Sequence, residues 1–264
     1  MSGINYSNIE TSITLNFCDN IESNDNIGEE SDYGFSNNDI LRVHSQFSET
    51  SEIYNLKDML PPSIQDIPDV FILIIRNNGN NILDQLLQIL ITSESNSDGI
   101  ITGVQWDTEK YKNGQIKQSK EKYKLIFKDL YEEYKINSNY QLNKGTIYNY
   151  KRIPQLEYIK CFFESILYGP FVIEGNCYYN KKECYTSMHR DKKRKKVIGL
   201  KLGGSSPLNF RWYHGTIRCS ETKTIILNHG DIYILSELAT GSIKEKLTKL
   251  FIKYSEGSHA NCLK

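Results

Sequence analysis

The sequence predicts an α+β protein with an acidic N-terminal tail, and three observations support this. One helix-like period and two strand-like runs lie before residue 118, two further helix-like periods end before Gly169, and six short β-like runs follow that glycine. Helical segments followed by clustered strands are typical of α+β folds, and the short strands favour an antiparallel sandwich or barrel. The third observation is charge: residues 1–60 hold 2 basic and 11 acidic side chains, whereas residues 61–264 hold 30 and 21.

The acidic segment, residues 1–60, is predicted to be disordered. It is rich in Asn and Ser and shows no sustained hydrophobic period. Such a composition buries too little apolar surface to offset the entropy lost on ordering the chain. We therefore expect a tail over residues 1–60 and a folded domain over residues 61–264.

The elements of the domain follow from hydrophobic period and turn residues. The apolar run 70–75 and the run 100–106 predict strands, and residues 82–90 place their leucines on one helical face. An amphipathic pattern predicts a helix over 118–135, and a third helix begins at Pro154 and ends before Gly169. The predicted strands beyond it are 171–179, 197–202, 208–213, 224–227, 231–235 and 250–254.

Composition excludes membrane and secreted classes. The longest apolar run, 70–75, is far shorter than the roughly 20 residues that span a bilayer, and no signal-peptide pattern is visible. The six cysteines form no Cys-x-x-Cys pair, so we interpret them as reduced thiols. An intracellular protein, cytoplasmic or nuclear, is expected.

A chemical motif stands at His189-Arg190-Asp191. On an extended segment, residues i and i+2 project from the same face, so His189 and Asp191 can converge on one point. They would form two thirds of a 2-His-1-carboxylate facial triad, which binds Fe(II). A His-x-Asp triplet is common by chance, so the surrounding sequence must decide. The alternative is a surface turn with a local hydrogen bond.

The ordered motifs around this triplet resemble those of AlkB-like 2-oxoglutarate/Fe(II) dioxygenases. An Asn-x-Tyr strand (Asn176, Tyr178) precedes it, and a strand ending in Leu-Gly, an aromatic strand and His229-Gly230-Asp231 follow. The stretch 236–241, Ser-Glu-Leu-Ala-Thr-Gly, matches one subgroup. The resemblance covers about residues 170–257.

The resemblance implies a fold, two cofactors and a set of site residues. The fold would be a double-stranded β-helix (jelly-roll) core with flanking N-terminal helices. His189 and Asp191 would bind Fe(II), Asn176 and Tyr178 would donate hydrogen bonds to 2-oxoglutarate, and the His-Gly-Asp segment would be a structural turn.

Two positions depart from the family pattern. Tyr254 stands where the subgroup has its second metal-binding His, so the third ligand stays open between Tyr254 and His259. The family also holds the far carboxylate of 2-oxoglutarate with a late arginine, but no arginine follows Arg218. Only Lys249, Lys253 or Lys264 could substitute, without the bidentate fork of arginine.

A basic cluster follows the His-x-Asp triplet: Lys192, Lys193, Arg194, Lys195 and Lys196. It has three interpretations, namely a solvated hairpin, a contact surface for nucleic-acid phosphates, or a nuclear address.

Three functional hypotheses remain. The first is a dioxygenase that hydroxylates or demethylates a nucleic-acid or other substrate, with weakened or lost activity. The second is a non-catalytic β-helix module that binds nucleic acid or a protein partner. The third is an α+β protein whose motif matches are structural alone.

Overall fold

The computed structural model describes residues 10–21, 27–64, 66–77, 79–112, 115–142, 144–180, 182–241, 249–258 and 260–263. Its helices are α1 (Asn37–Gln46), α2 (Asn81–Ile91), α3 (Pro154–Leu167) and α4 (Glu237–Thr240). Short 3-10 helices lie at Leu56–Met59, Pro62–Ile64, Tyr140–Leu142, Tyr150–Arg152 and Ala260–Leu263. The strands are β1 (Ser12–Cys18), β2 (Asn20–Ile21), β3 (Ile27–Gly28), β4 (Ser51–Asn55), β5 (Phe71–Ile75), β6 (Ser95–Ser97), β7 (Ile100–Gly103), β8 (Glu109–Lys112), β9 (Gln115–Gln118), β10 (Tyr123–Lys128), β11 (Lys135–Ile136), β12 (Ile147–Asn149), β13 (Val172–Tyr178), β14 (Thr186–His189), β15 (Val197–Gly203), β16 (Ser206–His214), β17 (Ile217–Arg218), β18 (Lys223–Leu227), β19 (Ile232–Leu235) and β20 (Leu250–Glu256).

Two mostly antiparallel sheets form the β-rich core. The main sheet has the order β11-β12-β10-β13-β1-β15-β19-β5-β4. The second sheet has the order β14-β20-β16, and β16 pairs along its other edge with β17 and β18. The chain is therefore α+β, as the sequence predicts.

Two hydrophobic clusters divide the molecule into three layers. The outer cluster joins one face of the main sheet to α1, α2 and α3 through residues such as Leu15, Leu86 and Phe163. The inner cluster joins the opposite face of the main sheet to the second sheet through residues such as Ile72, Phe210 and Ile252. The main sheet is thus covered on both faces.

The prediction of a disordered tail over residues 1–60 is wrong for the part that the structure describes. β1 lies at the centre of the main sheet, between β13 and β15, and every residue of it is buried. Ile13, Leu15 and Phe17 face the helices, while Thr14 and Asn16 face the second sheet. Because both faces of this strand are covered, its polar residues lie inside the protein.

Two further elements of the same acidic segment are ordered. α1 begins with a capping box in which the Ser36 side chain accepts from the Asp39 backbone N–H, and the Asp39 carboxylate accepts from the Ser36 N–H. β4 pairs with β5 at the edge of the main sheet. The domain therefore starts well before residue 61.

The predicted helix over 118–135 is also wrong. Residues 123–128 form β10, which pairs with β13 and β12. Leu125 and Phe127 alternate toward the helical layer, and this strand period lies within the same apolar pattern that fits a helix. Pairing on both edges of β10 decides between the two periods.

The remaining predicted elements are confirmed within a few residues. Helix α3 has the predicted bounds, and α2, β5 and the strands from β13 onward, except the short β14 and β17, match predicted runs. Of the run predicted at 100–106, residues 100–103 form β7. Within the described residues, no helix is long and apolar enough to cross a membrane.

Candidate functional site

Four of the predicted site residues line a small cavity between the two sheets, and Asp191 lies next to it, bonded to one of the four. Asn176, Tyr178, His189 and Tyr254 all line it, and its volume is about 40 Å³. Since one water molecule needs roughly 10–15 Å³ of such space, the cavity has room for a few waters. Sites for drug-sized ligands are several-fold larger, roughly 300–1,000 Å³.

Asn176 and Tyr178 reach the cavity because they are alternate residues of β13. The Tyr178 hydroxyl lies 2.8 Å from Thr186 Oγ1 and donates to Glu256 Oε2 at 3.1 Å. Asn176 is 3% exposed, and its Oδ1 atom has no hydrogen-bond partner among the described residues. The strand period thus places both side chains on the same face, and the Tyr178 hydroxyl is hydrogen-bonded within the protein itself.

His189 is the last residue of β14 and is held as a neutral imidazole. Its Nδ1 atom lies 2.9 Å from the Ser187 carbonyl oxygen, which only an N–H can satisfy, so Nε2 is the unprotonated nitrogen. Burial lowers the pKa of His189 to about 4. A neutral imidazole suits a metal ligand or a hydrogen-bond acceptor.

Tyr254 stands directly beside the His-x-Asp triplet. It is the register partner of His189 across β14 and β20, and the two rings are 4.4 Å apart. The Tyr254 hydroxyl donates to Asp191 Oδ2 at 2.7 Å, and both residues are buried. Burial and the neighbouring Asp191 charge raise the pKa of Tyr254 well above its usual value near 10.

These residues fit an Fe(II) site poorly. A facial triad needs three ligands, but Tyr254 is a protonated phenol whose proton is donated to Asp191. Among the described residues, no group of three or more His, Cys, Asp and Glu side chains could hold a metal. His259, the other predicted third ligand, lies outside the described residues.

The described lysines expected to bind the far carboxylate of 2-oxoglutarate do not line the cavity. A lysine outside that expectation, Lys201, donates from Nζ to Glu256 Oε1 at 2.7 Å, with both side chains buried. Lys253 points to the opposite face of β20, where its ammonium lies 4.6 Å from the centre of the Tyr213 ring. Lys249 precedes β20 on the exposed surface, and Lys264 lies outside the described residues.

Sequence reasoning missed the buried ion pairs that surround the cavity. Lys201 lies within an apolar strand, and Glu256 comes two residues after Tyr254 and so shares its face. Arg194 donates to Glu174 Oε2 at 2.9 Å, and both are buried. A charged residue inside a predicted buried strand is the signal that could have identified them.

The basic cluster 192–196 is divided between surface and interior. Lys192 and Lys193 are exposed, but Arg194 and Lys195 are buried. The Lys195 ammonium donates to the carbonyl oxygen of Asp32 at 2.8 Å and also to that of Ser31. Lys196 Nζ donates to the Tyr168 carbonyl oxygen at 3.3 Å.

The same cluster meets the acidic N-terminal segment through its backbone. The Asp19 carboxylate accepts from the backbone N–H groups of Lys195 and Lys196, at 3.1 Å each. Arg194 and Lys195 are therefore structural residues, and their buried side chains do not form part of an exposed basic surface.

The predicted turn at His229-Gly230-Asp231 is present. Gly230 has φ +82°, a conformation that favours glycine, and the Asp231 carboxylate accepts from Arg76 Nη1 at 2.7 Å. His229 Nδ1 accepts from the Gly203 N–H at 2.9 Å. These contacts tie β19 to β5 and β15, so the turn is structural.

The chain is similar to an uncharacterized protein, R156, of Acanthamoeba polyphaga mimivirus. The two are 30% identical over 258 residues, which cover 94% of this chain and 96% of the relative. No protein-family model matches the chain.

Proposed function

The chain belongs to the same family as the mimivirus protein R156, and we propose that it is a non-catalytic binding module on a dioxygenase-type double-stranded β-helix. The observation that carries the proposal is the hydrogen bond from Tyr254 to Asp191. Tyr254 stands at the position of the expected third metal ligand, and Asp191 is the expected carboxylate ligand. The phenol of the first is a donor to the carboxylate of the second, so both groups are engaged by each other.

The layout of the two sheets supports the jelly-roll assignment. Both sheets are mostly antiparallel, and they share one hydrophobic core. His189 and Tyr254 lie opposite each other on neighbouring strands of the second sheet, next to the cavity. A dioxygenase-type β-helix is expected to bring its metal ligands together in this way, which the resemblance of residues 170–257 implies.

The chemistry of the donors supports a loss of catalysis. A phenol with a raised pKa must lose its proton before it can bind a metal, and this proton is held by a buried carboxylate. Of the two cations that line the cavity, Arg194 is paired with Glu174 and Lys122 donates to Thr186 Oγ1. The cavity is also too small for a dicarboxylate without rearrangement.

The ligand we propose for the module is a nucleic-acid strand. Lys192 and Lys193 are exposed and directly follow Asp191, so they lie beside the strand that carries His189. Lysines at such an edge contribute salt-dependent contacts to phosphates. The binding surface is therefore smaller than the five-residue cluster suggests.

Anaerobic titration with Fe(II) and 2-oxoglutarate tests the loss of catalysis. We expect no charge-transfer absorbance of the metal chelate in the wild-type protein. A band that appears in the wild type and disappears in His189→Ala would overturn the proposal and restore the dioxygenase hypothesis. Tyr254→His, which returns an imidazole to the third position, serves as the comparison variant.

Binding to single-stranded DNA and RNA at several salt concentrations tests the ligand. The double variant Lys192→Glu/Lys193→Glu should weaken binding and reduce the salt slope by about 1 for each phosphate that the protein no longer binds. Arg218→Glu/Lys223→Glu is the matched control, because it changes the same charge at the opposite edge of the second sheet. Equal weakening in both variants, or no binding by the wild type, would refute the nucleic-acid assignment.

A further inference from the structure

The buried carboxylate of Glu256 accepts hydrogen bonds from side chains of four strands. Lys201 of β15 donates to its Oε1 atom at 2.7 Å, and Ser206 of β16 does so at 3.3 Å. Thr14 of β1 also donates to Oε1, and the Tyr178 hydroxyl of β13 donates to Oε2 at 3.1 Å. Both carboxylate oxygens are thus bound by side chains, and Glu256 is 5% exposed.

Three of these donors, Thr14, Tyr178 and Lys201, are side chains of neighbouring strands of the main sheet, and they belong to a row on one of its faces. Thr14 is the register partner of Lys201 on one side and of Asn176 on the other. Three adjacent strands therefore place Asn176, Thr14 and Lys201 side by side on one face. Tyr178 lies two residues beyond Asn176 on that face.

The carboxylate comes from the opposite sheet. Glu256 is the last residue of β20, and it faces the row across the space between the two sheets. The donors of the row are held by strand pairing within the main sheet, which does not involve β20. The row and the group that it binds are therefore independent parts of the fold.

We propose that Thr14, Tyr178, Lys201 and Ser206 form a carboxylate-binding site that Glu256 fills as an internal ligand. A buried ammonium is costly unless it is paired, so the site requires an anion. The three hydroxyl donors are arranged around two oxygen atoms, which matches a carboxylate. The class of ligand is a small aliphatic carboxylate, and in the wild-type protein the chain supplies it.

This inference does not depend on the loss of the metal position. It concerns the row around Lys201, whereas the proposed function depends on Tyr254 and Asp191. A wild-type protein that binds Fe(II) would leave the inference intact.

The test is replacement of the internal ligand by a free one. Glu256→Ala removes four non-hydrogen atoms, which are the atoms of one acetate ion, and Glu256→Gly removes the equivalent of propionate. We expect Glu256→Ala to have a lowered Tm that acetate raises by several degrees in a saturable way. Calorimetric titration of that variant with acetate should show one site.

The match in size between each removed side chain and one of the two carboxylates provides a second test. Acetate should stabilise Glu256→Ala more than propionate does, and propionate should be the better ligand of Glu256→Gly. Sodium chloride at equal ionic strength is the salt control, and the wild type should respond to neither carboxylate. The double variant Lys201→Met/Glu256→Leu fills the site with apolar groups and should also be unresponsive.

Three results would overturn the proposal. The first is a response to sodium chloride as large as that to acetate, and the second is equal stabilisation of the double variant. The third applies if Glu256→Ala and Glu256→Gly do not fold: failure of both in the presence of either carboxylate, while Glu256→Gln folds, would also contradict it.

Discussion

Replacing Tyr254 by Phe removes one hydroxyl and leaves the ring in place. The hydrogen bond that it removes is 2.7 Å long, and its acceptor is the carboxylate of Asp191, which is 5% exposed. Hydrogen bonds to charged groups contribute about 1.5–3 kcal/mol, and a buried acceptor that loses its donor keeps the cost of desolvation. We therefore expect Tyr254→Phe to lower the free energy of unfolding by about 2 kcal/mol.

A second tyrosine provides the matched comparison. The Tyr233 hydroxyl donates to Asn16 Oδ1 at 2.8 Å and is also buried, but its acceptor is neutral. Tyr233→Phe should therefore cost about 1 kcal/mol. The difference between the two variants measures the effect of the Asp191 charge.

Urea denaturation gives both values from the shift in midpoint at unchanged m. A double-mutant cycle with Asp191→Asn isolates the pair, and we expect a coupling energy of about 1–2 kcal/mol. A change below about 0.5 kcal/mol in Tyr254→Phe, or no coupling in the cycle, would refute the view that these two groups satisfy each other. It would also remove the main support for a non-catalytic site.

Three further predictions concern the strand from the acidic segment, the inner packing and the pH dependence. Phe17→Ala removes a fully buried ring whose centre lies 4.8 Å from that of Phe163, so the free energy of unfolding should fall by about 3–5 kcal/mol. Tyr33, in the same segment, is 78% exposed, and Tyr33→Ala should change the free energy of unfolding little. Equal effects of the two substitutions would contradict the central position of β1. Gly199→Ala would place a Cβ atom 2.0 Å from the Tyr233 ring, so a loss of at least about 2 kcal/mol is expected by denaturation, and a neutral effect would disprove the close approach. The pKa of His189 is lowered to about 4, so the folded protein resists protonation: its contribution to stability is present above pH about 6.5 and is lost as the pH falls toward 4. His189→Gln should flatten stability against pH in this window by no more than about 3 kcal/mol, and identical profiles of wild type and His189→Gln would be inconsistent with a half-buried neutral imidazole.

The strands of the second half could be predicted because each is bounded by turn residues and is mostly apolar. The run 197–202 and the segment at 171–179 hold enough buried apolar residues to be recognised without any knowledge of their neighbours. Helix α3 could be predicted for a similar reason, since Pro154 and Gly169 mark its two ends. Local signals were sufficient wherever the element buries an apolar face.

The failures share one physical cause, which is pairing that local sequence does not record. The apolar residues of 118–135 fit a helical period and a strand period at once, and the neighbours β12 and β13 select the strand. His189 and Asp191 stand out by their spacing, and Asn176 and Tyr178 are implied by the family resemblance, but the partners of Tyr178 and Asp191 come from distant parts of the chain. Spacing along the chain predicts which side chains share a face, but it does not predict which residues of other strands contact them.

Pairing with distant strands also explains why the acidic segment is ordered and why a carboxylate site lies beside it. A strand between an apolar layer and a polar interior alternates apolar and polar residues, as Ile13, Thr14 and Leu15 do, and in isolation this pattern resembles a strand with one solvated face. In this fold the second sheet covers that polar face, so Thr14 becomes a donor to Glu256, while Asn16 accepts from Tyr233 of the main sheet itself. A buried polar face needs partners of matching charge. The pair of Lys201 and Glu256 therefore follows from the position of β1: the interior next to this strand is polar, whereas the inner hydrophobic cluster joins the two sheets elsewhere.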